Sequence, residues 1–100
     1  MVEVSPDELK RAVESRYGVT AWLIQTVTVK ETSSGKTVWE CVVHVFDLAG
    51  HPKAQRAYAW SQAMEDGRRK VFAELHSRRV TGPVEAVKAA IAAEGRKHGG

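Results

Sequence analysis

Residues 53–78 read KAQRAYAWSQAMEDGRRKVFAELHSR, and this stretch decides the fold. Asp66-Gly67 stands in its middle. A two-residue primed turn needs positive φ at both central positions, which Asp-Gly supplies. The flanking runs, about Lys53–Ala63 and Lys70–Arg78, are rich in aromatic and small apolar residues set among polar ones. They read as two antiparallel strands joined locally.

The same pattern repeats upstream. Ala49-Gly50-His51-Pro52 and Ser33-Ser34-Gly35-Lys36 are turn sequences, and they bound runs at about Thr20–Glu31 and Thr37–Leu48. Four strands joined by short turns predict a meander of order 1-2-3-4, since sequence neighbours are usually spatial neighbours. A helix precedes them. Ser5-Pro6-Asp7-Glu8 offers an N-cap, a proline at the first helical position and a capping-box acid. Leu9, Ala12, Val13 and Tyr17 give an apolar stripe, and Gly18 a stop. A second helix follows Thr81-Gly82-Pro83, with Val84, Val87 and Ile91 on one face and an expected stop at Gly95. Residues 96–100 are expected to be a disordered tail. The fold class is therefore α+β, α-β-β-β-β-α, a single domain over 1–100 with both terminal helices expected on one sheet face.

Composition excludes the extreme classes. Hydrophobic residues make 43% and charged residues 27% of 100, ordinary globular values. No apolar run approaches the ~20 residues that cross a bilayer. Met1–Glu8 has neither the basic start nor the apolar stretch of a signal peptide, so a cytoplasmic protein is expected. Cys41 is the only cysteine, which rules out an intrachain disulfide. The charge is uneven: residues 1–50 carry −2 and residues 51–100 carry +5.

The face left open by two helices on one side is the first candidate site. In the third strand Ala57 and Ala59 alternate with Arg56, Tyr58 and Trp60. Small residues suit contact with helices, so Trp22, Arg56, Tyr58 and Trp60 are placed on the open face. The second strand is apolar on both parities, which normally means cover on both sides. A protein partner, most simply a second copy of the chain, is expected there.

Other chemistry has weaker support. His44, His51, His76 and His98 show no metal-ligand spacing, and no metal or cofactor is expected. Cys41 has no sequence-adjacent base, and the glycines at the hairpin tips are turn residues rather than a phosphate loop. No catalytic residue is assigned and no enzyme is expected. Arg68, Arg69, Arg78 and Arg79 are the residues placed to meet phosphates if the chain binds nucleic acid, with the sheet aromatics stacking unpaired bases. The helix–strands–helix order resembles the layout of the double-stranded-RNA-binding domain. That family opens its last helix on lysines, whereas Gly82-Pro83-Val84-Glu85-Ala86-Val87-Lys88 places an acid there. This chain also has a fourth strand, so no residue role carries over.

Overall fold

The computed structural model describes residues 4–33, 36–64 and 67–98. Its elements are α1 (Pro6–Tyr17), β1 (Thr20–Ser33), β2 (Lys36–Ala49), β3 (Arg56–Ala63), β4 (Arg69–Leu75) and α2 (Pro83–His98). The strands form one antiparallel sheet in the order β1-β2-β3-β4. The α+β class, the element order and the meander are those read from the sequence.

Local chemistry explains the boundaries. Ser5 caps α1 by accepting from the Glu8 N–H at 3.2 Å. Gly18 closes the helix in the left-handed region at φ +64°, and its N–H donates to the Glu14 carbonyl. Strand β3 starts at Arg56 rather than Lys53, because the His51 ring folds the preceding loop. Its Nδ1 accepts from the Lys53 and Ala54 N–H groups. Strand β4 ends at Leu75 rather than Arg78, because Ser77 Oγ accepts from the Arg79 and Val80 N–H groups and turns the chain. At the 65–68 turn, Gly67 has φ +85° and Met64 N–H donates to the Arg68 carbonyl. Glu65 and Asp66 of that turn, and Ser34 and Gly35 of the first, lie outside the described residues. Helix α2 continues through Gly95 to His98, into the stretch expected to be a disordered tail; Gly99 and Gly100 lie outside the described residues.

The helices do not share a face. Leu9 and Val13 of α1 pack with Phe46, Ala57, Ala59 and Ala73. Ala86, Val87 and Ala90 of α2 pack with Val43, Val45, Tyr58, Trp60 and Phe72. Residues 57 to 60 alternate between the two clusters, so α1 and α2 cover opposite sides of the sheet. Strand β2 is thus covered from within the chain on the α2 side at Cys41, Val43 and Val45 and on the α1 side at Phe46, while Val42 on the α1 side stays 45% exposed. Small residues do face a helix, as expected, but that helix is α1 alone. The large ones meet an alanine-rich helix that can come close enough to seal them.

Two irregularities shape the sheet. A bulge at Ile24 lies between the pairs Leu23↔Phe46 and Gln25↔Val45. It moves Val27 and Val29 onto the α2 side, although unbroken alternation from Leu23 would put them on the α1 side. The second irregularity is a splay. The β2–β3 ladder spans only His44↔Ala59 to Asp47↔Arg56. Beyond it β2 pairs with β1 alone, and β3 with β4 alone. On the α2 side three rings fill the splay: Phe72 stacks on Trp60 at 5.5 Å and meets Trp39 at 4.9 Å.

Glu14 ties α1 to the sheet, its Oε2 accepting from the Ala21 N–H at 3.0 Å and from Lys10 Nζ at 2.9 Å. The bond from Ala21, with Lys10 behind it, holds this carboxyl below its usual range. A depressed carboxylate stabilises the fold above its unfolded value, and the contribution is lost as pH falls through the carboxylate range. The stability gap between wild type and Glu14→Gln is therefore expected to be largest near neutrality and to shrink in acid. Urea midpoints at the two pH values check it, and a gap independent of pH contradicts the clip.

Trp60→Ala empties the centre of the ring cluster and is expected to cost about 3–5 kcal/mol. Ser5→Ala removes only a cap and is expected to cost about 1 kcal/mol. Denaturant titration measures both, and a smaller loss at Trp60 than at Ser5 would count against the cluster as the main core on that side.

Candidate functional site

The four residues expected on an open face do share one side of the sheet. Register places Trp22 beside Asp47 and Asp47 beside Arg56, with Tyr58 and Trp60 further along the same side. That side belongs to α2, however, and the open-face assignment fails for the two central aromatics. Tyr58 is 2% exposed and Trp60 is fully buried. The Tyr58 hydroxyl is hydrogen-bonded to His76 Nδ1 at 2.8 Å. Only the ends of the row reach solvent: Trp22 is exposed, and Arg56 lies 3.4 Å from Asp47 as a surface pair.

Val42 of β2, Val71 of β4 and Val84 of α2 are exposed singly, and the consecutive exposed apolar residues stand at the edge formed by β1. Trp22, Leu23 and Ile24 are 51%, 45% and 44% exposed. Trp22 lies on the α2 side, Leu23 on the α1 side, and Ile24 at the bulge between them. The three side chains wrap around the rim of the sheet. Gln25 and Thr26 extend the exposed, uncharged stretch to five residues. Natural edge strands are usually short or guarded by charge. Strand β4, the other edge, follows that rule with seven residues that include Arg69, Lys70 and Glu74. Strand β1 has 14 residues and places its charges at Lys30 and Glu31, away from the apolar rim. The sequence hides this site because strict alternation assigns each of the three residues to one face or the other. A bulge presents them together.

The basic residues fall at two ends. Arg68 and Arg69 flank the start of β4, and Arg78 and Arg79 sit in the loop after it, with Arg68, Arg78 and Arg79 exposed. Six strand steps at ~3.3 Å put the ends of β4 about 20 Å apart. Arg69 turns inward, and its guanidinium donates to Ser61 Oγ at 3.2 and 3.3 Å. Helix α2 carries an acid, Glu85, in its first turn.

Cys41 is buried and His44 is half-buried. Burial pushes the Cys41 thiol up to about 11, which leaves it protonated near neutrality. Burial also lowers the His44 imidazole, against a weaker opposing pull from the backbone of Val42 and Ala59. Among the described residues no three His, Cys, Asp or Glu side chains gather to hold a metal ion. No described helix is long and apolar enough to cross a membrane.

Duplex RNA or DNA is expected to bind this chain no tighter than about 10⁻⁶ M at physiological salt, the non-specific range. Neutralising Arg68, Arg69, Arg78 and Arg79 together should flatten the salt dependence. Because Tyr58 and Trp60 are covered, single strands should gain nothing from them. Gel shifts across salt with both probe types measure this, and sequence-selective submicromolar binding would contradict it.

No family model, curated protein or solved structure matches the chain.

Proposed function

We propose that the chain is a small non-enzymatic interaction module that self-associates through the β1 rim. The observation that carries this reading is three consecutive large apolar residues, Trp22-Leu23-Ile24, each close to half exposed on an edge strand. Monomeric proteins rarely leave such residues contiguous at the surface. The stretch from Trp22 to Thr26 contains no charge, so it is its own complement. Two copies related by a two-fold axis can meet there without burying an ion or opposing like charges. Aromatic and aliphatic groups form the centre of such a contact, and the Arg56–Asp47 pair beside Trp22 suits its polar rim. The bulge interrupts the edge ladder, so side chains rather than a continued sheet supply the association.

Light scattering at tens of micromolar should give about twice the mass of the 11.0 kDa chain. Trp22→Ser with Ile24→Lys should return it to the monomer mass with an unchanged circular dichroism spectrum. A wild-type monomer throughout that range overturns the reading.

A further inference from the structure

The β1 rim is too small to carry a stable contact by itself. Close to half exposed, Trp22, Leu23 and Ile24 offer roughly 300 Å² between them, on the usual areas of such side chains. A standard specific contact buries about 800 Å² on each partner. The surface that completes the contact must adjoin the rim, and the rim has two neighbours. On the α2 side it stops at once, because Trp22 stands beside Asp47 and its pair with Arg56. On the α1 side it continues without charge.

Helix α1 covers its side of β2 as far as Phe46. The next residues of that parity along β2 are His44, half-buried, and Val42, exposed. Their ladder partners on β1 are Thr26 and Thr28, both exposed. Leu23, Thr26, Thr28 and Val42 thus form an uncharged strip that runs from the rim along the β1–β2 hairpin. Its methyl groups suit the core of a contact, and its hydroxyls can bond across one. The strip ends at Lys30 and Glu40, an exposed pair 3.8 Å apart.

Two features make a second copy of the chain the fitting occupant. The first is shape. The strip is convex at the rim and concave at its far end, where Thr28 and Val42 form the lip of a cleft of about 210 Å³ between β2 and β3. A two-fold contact sets each part of a patch against a different part of its copy, so the rim of one chain can seat against the lip of the other. The second is charge. The pair that ends the strip carries one charge of each sign, so two-fold symmetry can bring Lys30 of one copy towards Glu40 of the other. A partner with a surface of single sign gains nothing there.

We propose that the self-association surface extends from the β1 rim across Thr26, Thr28 and Val42, with a second copy of this chain as its occupant. The inference rests on the rim reading above and adds the area that brings the contact towards standard size.

Sedimentation equilibrium across the micromolar range measures the dimer dissociation constant. Val42→Lys and Thr28→Lys, each made separately, should raise it by at least about tenfold, since each sets a charge and its copy into one contact. Both positions are exposed, so circular dichroism spectra should match the wild type. Val84→Lys, on α2 and off the strip, should leave the constant unchanged. The His44 ring borders the strip. Its NMR signals, assigned by their loss in His44→Gln, should shift with protein concentration in the wild type and stay fixed in Trp22→Ser with Ile24→Lys. A wild-type monomer throughout overturns the rim reading and the extension with it. A dimer that Trp22→Ser with Ile24→Lys dissolves, but that Val42→Lys and Thr28→Lys leave at wild-type strength, overturns the extension and leaves the rim reading standing. A dimer weakened as much by Val84→Lys as by Val42→Lys also overturns the extension, because the added surface then includes α2.

Discussion

The chain must cover both sides of β2, and the rest of the structure follows from that. Cys41, Val43 and Val45 face one way and Phe46 the other, all nearly or fully buried. One helix cannot serve both sides. The N-terminal helix closes over Phe46, Ala57, Ala59 and Ala73, and the C-terminal helix closes over the larger side chains opposite. Helices entering from the two ends of a four-strand meander can reach opposite sides without crossing a connection. The sheet therefore becomes the middle of three layers, and the consecutive exposed apolar residues are left at its rim.

Alternation in β3 sets how closely each helix approaches. Alanines at 57 and 59, opposed by Ala73, let α1 lie near the strands, where Leu9 and Val13 provide the volume. Tyr58, Trp60 and Phe72 provide the volume on the other side, and the helix there supplies Ala86 and Ala90 in return. Large residues on the sheet meet small ones on the helix, and the reverse holds across the sheet. Interiors pack to crystal-like density, so the two arrangements are complementary solutions to the same spacing.

Much of this was legible in the sequence. Ser5, Pro6 and Gly18 mark α1 by cap chemistry, and the turn residues mark four strands. Alternation correctly grouped Trp22, Arg56, Tyr58 and Trp60 on one side. It could not say which side each helix takes, because Ala-rich α2 suits a surface of large aromatics as well as α1 suits small ones. Nor could it register the bulge at Ile24, where a single unpaired residue redirects Val27 and Val29 and gathers Trp22 to Ile24 at the rim. The splay was illegible for a different reason: it lies where two hairpins stop pairing, and strand propensity does not record where a ladder ends.

The splay has a further consequence, for how the molecule comes apart. The ladder between β2 and β3 holds four residue pairs, against 13 between β1 and β2 and seven between β3 and β4. Each hairpin joins strands adjacent in the sequence and holds most of the ladder pairs of its strands. The chain is thus two sequence-local ribbons sewn by a short seam, with a helix laid across each side of the stitching. Ribbons of this kind can form before they meet, since neither waits on distant contacts. Amide exchange would see the same division: protons deep in each hairpin share the fate of that hairpin, while those along the seam report on the docking of one ribbon against the other.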